Sequence, residues 1–139
     1  MNTALSAFLR RRLGMPFAWG RSDCGLWLAD WAVDCGHPDP AAAWRGRYGN
    51  AAGAAQLTGP LGLARAVQRF AAALGLPRTD DPLPGDIAVL RAPGMHVGAI
   101  RTPLGWAVLA EGAGVSSVPA AAARVAAGPW RMTEGRGHA

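Results

Sequence analysis

The feature that most constrains this chain is a change of hydrophobic period near its middle. Up to about residue 77 apolar residues recur at spacings of three and four, the mark of amphipathic helices. Leu5, Phe8, Leu9 and Leu13 predict a helix over residues 3–13, ended by Gly14 and Pro16. Cys24, Trp27, Leu28, Trp31 and Cys35 predict a second over 22–35, with Ser22 as N-cap and Gly36 and Pro38 as the stop. Leu63, Val67, Phe70 and Leu74 predict a third between Pro60 and Gly75, with Arg65, Gln68 and Arg69 on its polar face. After "TDDPLPGD" the segments become short and β-branched or apolar: "DIAVLRA", "MHVGAIRT", "GWAVLAE", "GVSSV" and a final "PWRM", parted by "PG" and "PLG" turns. Helices first and strands second predict an α+β fold, helices packed on a small antiparallel sheet. Residues 37–56 read as irregular, with short helical pieces, 119–127 as an alanine-rich helix and 133–139 as a loose tail, so the expected domain is 1–132.

Charge excludes less than it first suggests. The 139 residues carry a formal charge of +5 from 14 arginines and no lysine, but only Arg10, Arg11 and Arg12 are contiguous. That pattern reads as a solvated helix end and a biased genome, so no nucleic-acid partner is expected. No apolar run reaches the roughly 18 residues of a membrane span. The N-terminal arginines follow the apolar residues instead of preceding them, an order that argues against a signal peptide.

Two cysteines need separate accounts. If the segment between Cys24 and Cys35 is helical, its rise puts their Cα atoms roughly 16 Å apart, beyond the roughly 7 Å that a disulfide spans. No zinc-type Cys/His spacing is present, and no metal or other cofactor is expected. Cys24 has two readings. At a helix start, free N–H groups and the helix dipole favour a thiolate nucleophile. On an apolar stripe beside Asp23, a cysteine is a small core residue.

A nucleophile needs a base. His138 falls in the tail, and His37, in "GHPDP", reads as a surface position. His96 opens a strand, with Gly98 leaving room on the same face two residues later. Read alone it is a strand-end histidine; read with Cys24 it supplies the imidazole of a thiol hydrolase. Trp19, just ahead of Cys24, and Asp23 beside it are candidate cleft residues, whereas Trp27 and Trp31 read as core, and Trp44, Trp106 and Trp130 as packing residues.

The order "WGRSDCGLWLADW", "LPGDIAVL", "MHVGAI" resembles the NlpC family of cell-wall cysteine peptidases, which have a papain-like fold. The likeness spans roughly residues 14–132. It implies Cys24 as nucleophile, His96 as general base and Asp86 as a structural turn residue. The substrate it implies is the stem peptide of bacterial peptidoglycan. The distance between the Cys and His motifs, with the additional helix at 60–74, is most similar to versions carried by phage and prophage tails. That implies a virion tail-tip protein with tail hub or tip proteins as partners. Departures from the pattern are Gly25 where serine is usual, Phe17 where a tyrosine often precedes Trp-Gly, and no polar residue on the strand after the base. Glu111 at that strand's end is either the group that orients His96 or a solvent-facing turn residue. Two functions remain open: a peptidoglycan hydrolase, or an inert tail-tip or hub protein that keeps the fold. An amidase or acyltransferase of regulatory role is a weaker third.

Overall fold

The computed structural model describes residues 3–58, 62–112 and 114–135. Four helices, α1 (Thr3–Leu13), α2 (Leu26–Asp34), α3 (Ala51–Thr58) and α4 (Gly62–Leu74), precede five strands. These are β1 (Ile87–Ala92), β2 (Met95–Thr102), β3 (Gly105–Ala110), β4 (Gly114–Val118) and β5 (Val125–Trp130). All pairings are antiparallel, in the order β4-β3-β2-β1-β5. The α+β class expected from the period change is therefore observed.

Period two in the strands sorts the core into two layers. Ile87, Val89, Ile100, Ala107 and Leu109 meet Leu5, Phe8, Trp27, Trp31, Val67 and Phe70 of the helices. Cys24, Ala88, Leu90, Val97, Ala99, Trp106 and Val108 form the second cluster, against which Val118 of β4 and Ala123 of the β4–β5 connection pack. Trp27 and Trp31 are the expected core residues. Each also satisfies its indole N–H on a backbone carbonyl of the sheet side, Trp27 on Gly98 at 3.0 Å and Trp31 on Gly85 at 2.8 Å. Asp86 is structural as expected: its buried carboxylate accepts from the N–H of Leu83 and Met132 and from Arg131, pinning the turn before β1 to the chain after β5.

Several elements differ from their expected form. The second helix starts at Leu26, four residues later than the stripe suggested, with Gly25 as N-cap and no side-chain cap. Ser22 instead accepts a hydrogen bond from Arg12. The alanine-rich segment forms only a single 3-10 turn, Ala120–Ala122, because Pro119 breaks the chain and β1's open edge captures residues from Val125 onward as β5. Within the segment read as irregular lies α3, whose start is capped by Asn50 accepting from the Gly53 N–H at 2.8 Å. Leu13, expected on the buried face of α1, is 70% exposed.

The basic run is not simply solvated. Arg12 is buried and pairs with Asp30, Arg45 joins Asp30 to Asp39, and Arg11 meets Asp34, a network that fastens α1, α2 and the 39–45 segment together. His37 is buried rather than at the surface, its Nε2 2.7 Å from the Thr133 carbonyl. Thr133 to Gly135 are consequently docked, with the Gly135 N–H on the Cys35 carbonyl at 2.8 Å. The remainder of the expected loose tail, with His138, lies outside the described residues.

Candidate active site

Cys24 lies on the turn that enters α2, and Asp23 builds that turn. The Asp23 carboxylate is 1% exposed and accepts four hydrogen bonds. Oδ1 takes the N–H of Gly25 and Leu26, while Oδ2 takes the Gly20 N–H and the Tyr48 hydroxyl at 2.6 Å. A carboxylate committed to four donors has no capacity left for a ligand. Asp23, expected as a substrate contact, borders the cleft but works as the organiser of the Cys24 turn.

Gly98 brings that turn onto the sheet. A Cβ there would stand 2.1 Å from the Cys24 carbonyl oxygen and 2.8 Å from Leu28, so only glycine allows this approach. The β2–β3 pairing ends at Ala99↔Val108. Gly98 is thus free on its β3 side: its carbonyl accepts the Trp27 indole N–H, and its N–H, with that of Cys24, lies near the Cys24 sulfur.

His96 stands on the same sheet face, two residues before Gly98, and directly across from Arg91 in the β1–β2 register. A cleft of about 720 Å³ gathers Trp19, Asp23, Cys24 and His96 with residues outside the expected set, Tyr48, Leu63, Arg91, Met95 and alanines of α3 among them. Cys24 and His96, far apart in sequence, therefore share one cavity. His96 makes no side-chain hydrogen bond or ion pair among the described residues.

Glu111 is placed differently from its expected position behind His96. The β2–β3 register, if continued, would set the two opposite each other, but the pairing stops at Ala99. The Glu111 carboxylate instead accepts the Trp19 indole N–H at 2.7 Å, and Trp19 meets Phe17 edge-on, with ring centroids 5.0 Å apart. Glu111 thereby steadies a cleft wall.

The thiol's electrostatics reverse the expected direction. Burial, followed by the charge of Asp23, pushes the Cys24 thiol up to about 12, against the opposing pull of nearby backbone N–H groups. The helix-start effect is weak because Cys24 precedes the N-cap, and the N–H groups of Gly25 and Leu26 are drawn to Asp23. At rest Cys24 is a neutral thiol. The phenol of Tyr48 is likewise raised, by burial and by its hydrogen bond to Asp23.

Tyr48 was missed in the sequence because its partner is remote. The available signal was that it is the chain's one tyrosine and sits in the glycine-rich stretch "RGRYGN".

The site defines an α+β domain with a cysteine and a histidine on the walls of one cleft. The chain belongs to the family described as a domain of unknown function, DUF6950, whose pattern it matches over residues 1–131. No curated protein and no solved structure matches it. Among the described residues no cluster could hold a metal ion, and no helix is long and apolar enough to cross a membrane.

Proposed function

We propose that the protein is a papain-like thiol hydrolase of NlpC type, cutting peptide or amide bonds in peptidoglycan stem peptides as part of a phage tail tip. The observation that carries this reading is the meeting of Cys24 and His96 on one cleft, with backbone N–H groups aimed at the sulfur. The motif order and the α4 helix inserted between the Cys and His segments support the tail assignment, with tail hub or tip proteins as partners.

In this mechanism the buried thiol keeps its proton until attack. His96 takes the thiol proton as the sulfur bonds to the substrate carbonyl carbon. The N–H groups of Cys24 and Gly98 stabilise the negative charge that develops beside them. The C–N bond then breaks, and the amine leaves with the proton from His96. Water, deprotonated by His96, hydrolyses the thioester and returns the free thiol and a carboxylic acid.

The test is release of new amine termini from purified peptidoglycan, read by mass spectrometry. Wild type should release them, while Cys24→Ala and His96→Ala should not. Release that persists in Cys24→Ala would sink the mechanism. The second reading, an inert tail-tip protein whose cleft grips a partner, draws on one observation: a thiol pushed up to about 12 facing a histidine with no orienting partner. Absence of release by wild type from every wall chemotype tested would favour it.

A further inference from the structure

The uncompensated charges of this protein are sorted by end. Arg21 lies between Trp19 and Asp23, Arg47 precedes Tyr48, Arg65 stands one helical turn from Gly62, and Arg91 itself lines the cleft. Arg124 joins them, since its carbonyl accepts the Arg91 N–H at 2.8 Å. All of these arginines are exposed, and none meets a carboxylate among the described residues. The carboxylates of the cleft walls are committed: Asp23 is buried under four donors, and Glu111 holds the Trp19 indole. The exposed acids Asp80, Asp81 and Glu134 sit at the other end of the molecule, the first two ahead of the turn into β1 and the third in the segment docked on Cys35. β1 is six residues long, which sets that end roughly 20 Å from Arg91. Screening acts over about 8 Å at physiological salt, so the far carboxylates do not cancel the field at the cleft. Arg10 and Arg69 also lack a carboxylate, but neither neighbours a cleft residue.

We infer that the cleft end of this protein is a binding surface for a base-free phosphodiester polymer, a chain of polyol phosphates that lies across the arginine rim and draws the cleft onto the matrix carrying it. That this matrix is a cell wall rests on the hydrolase reading, but the surface itself does not depend on turnover. A polyanion answers guanidinium groups spread over several segments of a rim, and each pairs phosphate oxygens through forked N–H donors. Neutralising several phosphates adds the release of their counterions. A nucleic acid has the same linkage, but proteins hold its single strands by stacking bases on aromatic side chains. No aromatic residue is among the exposed large hydrophobics, and Trp19, the aromatic nearest the rim, is taken by Glu111 and Phe17. The surface offers charge without stacking platforms, which suits the polymer that has no bases.

The experiment uses the full chain and a synthetic oligo(glycerol phosphate) with a fluorescent end label, binding being read by anisotropy over a series of salt concentrations. Log affinity should fall linearly with log salt concentration, and the slope should lessen by about 0.7 for each arginine–phosphate contact removed. Arg91→Gln/Arg124→Gln should show that loss. Arg10→Gln/Arg69→Gln, which changes the net charge equally, should keep the wild-type slope. The substituted arginines are all exposed, so both variants should melt like their parent, which keeps the comparison one of binding. No binding, an affinity indifferent to salt, or equal slopes in the two variants would each overturn the inference. An oligothymidylate of equal phosphate number should bind no more tightly than the glycerol phosphate chain; tighter binding would overturn the base-free polymer in favour of nucleic acid. Amine release from peptidoglycan, measured in parallel, separates the two claims. Rim-dependent binding without release sinks the hydrolase and keeps the surface; release without binding does the reverse.

Discussion

The two ends of α2 carry the two cysteines, and they make a controlled contrast. Both thiols are free and both are pushed up to about 12, first by burial and then by neighbouring carboxylates: Asp23 for Cys24, Asp34 and Glu134 for Cys35. At the N-terminal end, the N–H groups of Cys24 and Gly98 lie near the sulfur, a cavity opens beside it and a histidine lines the same cavity. At the C-terminal end, the chain around Cys35 is closed over by Thr133 to Gly135. The difference teaches that a perturbed thiol is not by itself a sign of chemistry; donors, a base and room for a substrate distinguish the two.

The largest expected effect tests that distinction directly. Cys24→Ala should lower amine release from peptidoglycan on the order of a thousandfold or more, whereas Cys35→Ser should leave the rate within about twofold. Equal losses in both variants would erase the contrast.

Alkylation comes next. Free cysteines ionise near 8.5, so at pH 8 both folded thiols should react roughly a hundredfold or more slowly than in urea. The linkage has a definite sign: with thiol pKa values raised in the folded state, the unfolded chain binds fewer protons between about pH 8.5 and 12. Stability from the two thiols is thus intact below about pH 8 and lost as pH rises toward 12. The urea midpoint should fall across that window, and fall less in the double variant Cys24→Ala/Cys35→Ala. A Cys24 that alkylates rapidly at pH 6 would break the neutral-thiol description.

Gly98→Ala should cost about 2–3 kcal/mol in urea denaturation, because its methyl meets the Cys24 carbonyl. Tyr48→Phe removes one of the four donors on Asp23 and should cost about 1–2 kcal/mol, with a measurable change in the pH profile of cleavage. At the opposite end, Gly135→Ala also meets backbone, Gly36 at 2.3 Å, yet the 133–135 segment is held by few bonds and can shift. Its cost should stay below about 1 kcal/mol, with cleavage unchanged.

What could be read in the sequence follows the range of the interactions involved. The period change marked the helices and strands because amphipathic burial is written locally in residues such as Trp27, Trp31, Val67 and Phe70. Cys24 and His96 were found together because each lies in a recognisable motif, and the cleft gathers both. α3 escaped because alanines carry no apolar stripe; Asn50, its cap, was the one available sign. The 119–127 helix failed because pairing with β1 overrode alanine's local preference. Tyr48 on Asp23, Glu111 on Trp19 and His37 on Thr133 are long-range contacts that no window of sequence contains.

The interruption of the β2–β3 ladder at Gly98 separates two duties. Asp23, Gly98 and Trp27 hold the cysteine turn against the sheet, and each is fixed by several partners. His96, two residues along the same strand, holds nothing. On the proposed hydrolase reading, an exchange at position 96 would therefore silence the proton relay and leave the scaffold whole, so one substitution would separate a catalyst from an inert docking part of the same fold.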